Sequence, residues 1–130
     1  MGIFVTSAAE GVTMLKAFIV EIINTMVLVL TIYAVTDQKN ASAPNPGLAA
    51  LMIGISVTLC GMAFGPLTGF AMNTARDFGP RLFAAIAGWG KFAWGANYYG
   101  LIVPIFAPIV GGILAGGVYT KVICRYRDRK

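Results

Sequence analysis

The stretch that decides the fold is Gly65-Pro66-Leu67-Thr68-Gly69-Phe70-Ala71-Met72-Asn73-Thr74-Ala75-Arg76-Asp77-Phe78-Gly79-Pro80-Arg81. It contains two Gly-bearing turns, then Asn73 as a helix N-cap candidate, then a mostly apolar segment reaching about Gly88. That segment is too short to cross a bilayer and too apolar for a simple exterior loop. Non-helical backbone at membrane depth is tolerated only where protein or a water-filled cavity surrounds it. The pattern alone leaves two readings open. One is a re-entrant loop followed by a half-helix; the other is an amphipathic connector lying on the membrane surface.

Working outward, residues 1–16 are a mildly polar N-terminal segment without the basic region and apolar core of a secretory signal. Residues 17–36 are apolar apart from Glu21 and uncharged polar residues such as Asn24, and their length suits one membrane crossing. Residues 37–47, with Asp37-Gln38-Lys39-Asn40 and Pro44-Asn45-Pro46-Gly47, read as a loop. A second span is expected over residues 48–66, with Pro66 marking its end. Residues 67–91 hold the re-entrant loop and half-helix. Residues 92–120 hold an interfacial lead-in with Trp94, Tyr98 and Tyr99, then a third span bent by Pro104 and Pro108. Residues 121–130 form a basic tail. Gly61, Gly65 and Gly69, and the pair Gly112 and Gly116, have the small-residue spacing that lets helices pack closely. The expected fold is a single all-α membrane domain of three transmembrane helices plus one re-entrant half-helix.

Composition supports a bilayer environment. The 130-residue chain is 58% hydrophobic and 12% charged, whereas a soluble domain has roughly a quarter of its residues charged. A chain this small cannot bury that much apolar surface in its own core. A very apolar soluble subunit held inside a complex is the competing explanation.

The chain has no His, and its five acidic residues face ten basic ones, for a net charge of +5. Imidazole catalysis is therefore excluded, and carboxylates are scarce for hydrolysis, so no enzymatic role is expected. Cys60 and Cys124 are far apart and show no metal or redox spacing, so no metal or other cofactor is expected. Half of the basic residues (Lys121, Arg125, Arg127, Arg129 and Lys130) sit in the tail. Such a cluster after an apolar span holds the C-terminus in the cytoplasm and favours anionic lipid, whereas nucleic acid would need interleaved exposed aromatics.

The string GPLTGFAMNTARDFGPRLFAAIAGWG resembles the second signature loop of the aquaglyceroporins, the glycerol facilitator branch of the aquaporin superfamily. That loop usually reads Asn-Pro-Ala followed by Arg-Asp. The run Leu101-Ile102-Val103-Pro104-Ile105-Phe106-Ala107-Pro108-Ile109-Val110-Gly111 is similar to the family's last span, and Glu21 and the Thr36-Asp37 loop fall where its second half has counterparts. The resemblance covers residues 18–123. It implies the second inverted repeat of the aquaporin fold, conducting glycerol, small neutral solutes and water passively through the plasma membrane.

The resemblance also implies roles for individual residues. Arg76 would be the filter cation and Phe70 the filter's aromatic wall; snorkelling and ordinary packing are their plainer alternatives. Asn73 would mark the pore midpoint at a helix N-terminus, where unsatisfied N–H groups disfavour cations. The carbonyls of Gly69, Phe70, Ala71 and Met72 would form an acceptor ladder. Glu21 would brace the loop through backbone N–H groups, while Thr74, Asp77 and Arg81 support it, the last two by pairing or by capping the half-helix. Asp77, Arg81, Pro104 and Ile105 are markers of the glycerol branch.

Two features depart from the family. Thr74 stands where Pro is usual, which keeps an N–H and loosens the backbone, so the aim of Asn73 is expected to be altered and not abolished. The chain also amounts to one repeat, and family channels have two. One hypothesis is that it contributes to a channel, as part of a longer protein or with a complementary first repeat, in the family's tetramer. The other is that it is a non-conducting truncated fragment or an interaction subunit docking on full-length protomers. Either way the N-terminus is expected outside and the C-terminus inside.

Overall fold

In the computed structural model, which describes residues 3–128, regular structure is helical throughout. Helix α1 spans Met14–Thr36 and starts at Thr13, whose hydroxyl oxygen accepts from the N–H of Lys16. Helix α2 spans Pro46–Thr68, with Asn45 as its N-cap and Pro46 in the first turn, where a missing N–H costs nothing. It runs two residues past the expected stop at Pro66 and ends at Gly69, whose φ of 78° lies in the left-handed region that suits glycine. The half-helix α3 spans Thr74–Ala84. Irregular helical turns over residues 85–98 lead back to α4, Tyr99–Val118, which contains Pro104 and Pro108. Beyond Val118 the helix widens into a π-type turn and continues to Arg127.

Three helical stretches are long and apolar enough to cross a membrane: Met14–Thr36, Pro46–Thr68 and Ala96–Arg127, with mean hydropathies of 2.2, 2.0 and 2.2. The chain is an integral membrane protein. Helix α1 is central and packs on both α2 and α4, while α3 lies against α4. Large apolar side chains on the outer faces are exposed, among them Leu59, Met62 and Ile113, as expected where hydrocarbon is the solvent.

The closest helix contact uses a different stripe from the expected one. Val103, Ala107, Gly111 and Ala115, one helical turn apart, are buried on α4. A Cβ at Gly111 would lie 2.6 Å from the carbonyl oxygen of Ile22 and 3.0 Å from Cβ of Thr25, so only glycine admits α1 there. Gly112 has open space around it, and Gly116 faces the ring of Tyr33. Gly61 and Gly65 likewise seat the ring of Phe70, at 3.3 and 3.2 Å, and not another helix.

The basic segment is also more ordered than a tail. Arg127 turns back to pair with Asp37, which also accepts from the Tyr119 hydroxyl at 2.8 Å, and Tyr119 stacks on Tyr33 with ring centroids 5.1 Å apart. Arg129 and Lys130 lie outside the described residues. The backbone N–H of Lys39, then Tyr119 and Arg127, hold the Asp37 carboxyl below its ordinary pKa.

Two outcomes are expected. Gly111→Ala lowers the thermal midpoint of the detergent-solubilised chain, because overpacking of about 1–3 kcal/mol exceeds the helix-propensity gain of about 1 kcal/mol; Gly112→Ala leaves it unchanged or raises it. Because the Asp37 pKa is depressed on folding, the contact joining the 37–47 loop to the last helix is complete above the ordinary carboxylate pKa of about 3.9. It is lost as pH falls through the depressed value. The difference in tyrosine emission between the chain and its Tyr119→Phe variant, followed through acid titration, measures this, and a transition near neutrality would contradict it.

Candidate functional site: the re-entrant loop and the open face of the half-helix

Between α2 and α3 the backbone leaves helical geometry for residues 69–73. Phe70 and Met72 adopt positive φ, 43° and 50°, which is uncommon for non-glycine residues and costs about 1–3 kcal/mol each. Such a path persists only if its surroundings hold it. Glu21, fully buried on α1, supplies the hold. Its Oε1 accepts from the Thr68 hydroxyl at 2.5 Å and from the Ala71 N–H at 2.9 Å, and its Oε2 accepts from the Met72 N–H at 3.0 Å. A buried carboxylate needs such donors, and loop N–H groups inside a membrane protein need such acceptors.

The N-terminal segment secures the loop from the other side. The Ala9 N–H donates to the Leu67 carbonyl at 2.9 Å, satisfying one of the free carbonyls at the end of α2. Thr6 presses on Gly69, where a Cβ would meet its side chain at 3.1 Å. Thr6 also donates from its backbone N–H (2.6 Å) and its hydroxyl (2.8 Å) to Oδ1 of Asp77. Oδ2 of Asp77 accepts from Nε of Arg81 at 2.5 Å, and the Arg81 guanidinium donates further to the carbonyls of Ala93, at 2.8 Å, and of Thr6. Asp77 and Arg81 are both buried, one helical turn apart on α3. Gly100 gives the guanidinium its berth: a Cβ there would fall 2.5 Å from Cζ of Arg81.

Asn73 and Arg76, by contrast, are left open. Asn73 caps the helix by accepting from the Arg76 N–H at 3.1 Å, and it is exposed. The Arg76 side chain is 40% exposed and reaches only to 3.9 Å from Asp77. Five residues apart, Arg76 and Arg81 therefore have opposite fates: one faces outward and the other is locked inside. Phe70 is half-buried against α2, and the carbonyls of Gly69, Phe70, Ala71 and Met72 belong to the non-helical stretch leading to Asn73. Thr74, the first residue of α3, donates its hydroxyl to the carbonyl of Ile105 on α4 at 2.8 Å. Pro104 is buried in the packing face of α4 and Ile105 is half-buried.

Glu21, Thr68, Ala71 and Met72 are thus brought together at one end of the loop, and Asp77 and Arg81 at the other. Thr6, Ala93 and the Ile105 carbonyl were not anticipated as partners. Thr6 bonds across 71 residues to Asp77, and no local pattern encodes that. The side-chain amide of Asn24 is buried, and its nitrogen and oxygen lack partners among the described residues.

The fold thus comprises three helices able to span a membrane and a short helix that begins at Asn73 between the second and third. Comparison with known proteins gives its class. Residues 1–119 match the model of the major intrinsic protein family. The chain is 44% identical over 127 residues to the glycerol uptake facilitator protein of Escherichia coli K12, covering 96% of this chain and 45% of that protein. It is 44% identical over 126 residues to the glycerol uptake facilitator protein of Pseudomonas aeruginosa, covering 95% and 45%. It is 46% identical over 123 residues to a propanediol uptake facilitator of Citrobacter freundii, covering 93% and 45%. The crystal structure of the aquaglyceroporin from Plasmodium falciparum superposes with a TM-score of 0.88 at 32% identity, covering 98% of this chain and 52% of that one. The chain belongs to the major intrinsic protein family, whose members are transport channels and not enzymes. It spans about half the length of the curated relatives it matches.

Glu21→Gln places an NH₂ where an acceptor is needed and leaves one of the two loop N–H groups unpaired, a cost of about 1–3 kcal/mol. Amide hydrogen exchange at Ala71 and Met72 is expected to accelerate tenfold or more while the middle of α2 is unchanged, about the factor that such a cost represents.

Proposed function

We propose that this chain forms one half of a passive channel for glycerol and other small neutral solutes, with water, in the plasma membrane. The observation that carries this reading is the exposed pairing of Asn73 and Arg76 on α3, held in place by buried anchors on either side. A pore for neutral polyols must replace the hydrogen bonds of water without matching the hydration of ions. Arg76 donates to a passing hydroxyl and repels cations. Asn73 offers its amide at a helix N-terminus, where the positive end of the dipole disfavours cations and proton relay. The carbonyls of Gly69, Phe70, Ala71 and Met72 accept along the approach, and the Phe70 ring gives the carbon skeleton an apolar wall. Glu21, Thr74, Asp77 and Arg81 hold these groups, and Asp77, Arg81, Pro104 and Ile105 mark the glycerol branch.

The open face requires a complementary repeat, on the same polypeptide or a separate one, to complete the wall. Unpaired polar backbone and Arg76 facing lipid would cost several kcal/mol per group. In the assembled protein the C-terminus lies in the cytoplasm and the units form tetramers. The second reading, a non-conducting subunit that docks on full-length protomers, draws on the same exposed face.

The test is light scattering from proteoliposomes under a glycerol gradient, then a sucrose gradient. The chain joined to the first half of the Escherichia coli glycerol uptake facilitator is expected to give glycerol-dependent reswelling and none with sucrose, while the chain alone matches empty liposomes. Arg76→Ala in the joined protein raises proton leak at equal insertion. An inserted joined protein that never reswells would favour the docking subunit.

A further inference from the structure

We infer that Thr74 is a positioning residue: its hydroxyl clamps the start of the half-helix to α4 and so fixes the direction in which Asn73 points. Thr74 occupies the first turn of α3 immediately after the cap, and its Oγ1 donates to the Ile105 carbonyl at 2.8 Å, across 31 residues of sequence. The local backbone does not fix this start by itself. Met72 is left-handed at φ 50° and Asn73 is extended at φ −151°, so two sharp changes of direction precede the first helical residue. Threonine is a modest helix former whose hydroxyl competes for nearby backbone groups. A proline at this position presets φ with its ring; threonine leaves φ free and needs an external tie.

The acceptor suits that task. A carbonyl has two lone pairs, so Ile105 accepts a side-chain bond beside its helical one. Pro104 and Pro108 flank it, and proline disturbs the helical ladder around its own turn and turns carbonyls outward. Val103, Pro104, Ala107 and Pro108 are buried, so this segment of α4 is a fixed point. Asn73 is thereby held from both sides: Glu21 fixes the N–H groups of Ala71 and Met72 before it, and the Thr74–Ile105 bond fixes the residue after it. The inference rests on the channel reading only for its consequence, that Asn73 faces permeant.

The test is carried out on the full chain in lipid nanodiscs, so that its failure is separate from any failure to conduct. Carbonyl-¹³C isoleucine and ¹⁵N phenylalanine label two Ile–Phe steps, Ile3-Phe4 and Ile105-Phe106; an Ile3→Val variant assigns the second. Thr74→Val, which keeps shape and loses the hydroxyl, is expected to move the Ile105 carbonyl resonance. It also raises hydrogen exchange at the Arg76 amide about fivefold, the factor an ordinary hydrogen bond is worth, with α1 and α2 unchanged. Thr74→Ser keeps both signals at the values of the unaltered chain. Thr74→Pro moves the carbonyl resonance but keeps the Arg76 amide protected, because the ring replaces the clamp. An unmoved carbonyl in Thr74→Val, a moved carbonyl with unchanged Arg76 exchange, or exchange rising equally in α1 and α2 would each overturn the assignment.

Discussion

Everything at the centre of this molecule depends on the exchange between the Glu21 carboxylate and the backbone of residues 68–72. A chain that breaks its helix inside a membrane leaves N–H groups that lipid cannot satisfy. A carboxylate buried in the same place is equally costly alone. Each supplies what the other lacks: three donors, from Thr68, Ala71 and Met72, converge on two oxygens. The positive φ values at Phe70 and Met72 are tolerable because these bonds hold them. Since Glu21 sits on α1, the helix on which α2 and α4 both pack, the loop is registered to the core of the domain and not to a flexible edge.

A second anchor determines the orientation of the half-helix about its own axis. Asp77 and Arg81 are drawn inward to meet Thr6 and Ala93, while Asn73, at the cap, and Arg76 remain exposed. The buried Asp77 is thus paired with Arg81, while Arg76, 3.9 Å from the same carboxylate, keeps a side chain 40% exposed. The N-terminal segment, polar and outside the spans, contributes to both anchors through Ala9 and Thr6. Exposed apolar side chains over the outer helix faces belong to the same design, because hydrocarbon and not water surrounds the spans.

The elements were legible to different degrees. The apolar runs disclose all three spans because length and hydropathy are local properties, although the ends shift: α2 passes Pro66 by two residues and the last helix absorbs Lys121, Arg125 and Arg127. Proline ends a helix at its own N–H but not the turn already formed behind it. The glycine spacings mark close packing without saying against what. Phe70 occupies the space at Gly61 and Gly65, and the tight helix crossing falls at Gly111, beside Gly112. Which glycine meets a neighbour depends on the rotation of the helix, and a chain hydrophobic on every side carries little information about rotation.

The sequence by itself pointed to a membrane protein with three crossings and marked Asn73 as an N-cap candidate, while leaving open whether the segment between the second and third crossings re-enters the membrane or lies on its surface. Each of these follows from composition, run length or a local capping rule. Only the tertiary structure decided that Glu21 closes on Ala71 and Met72, that Arg81 is buried while Arg76 is open, and that Thr74 reaches Ile105. Those outcomes rest on hydrogen bonds between residues 4 to 75 positions apart. Their geometry exists only once the helices have packed and water has been excluded.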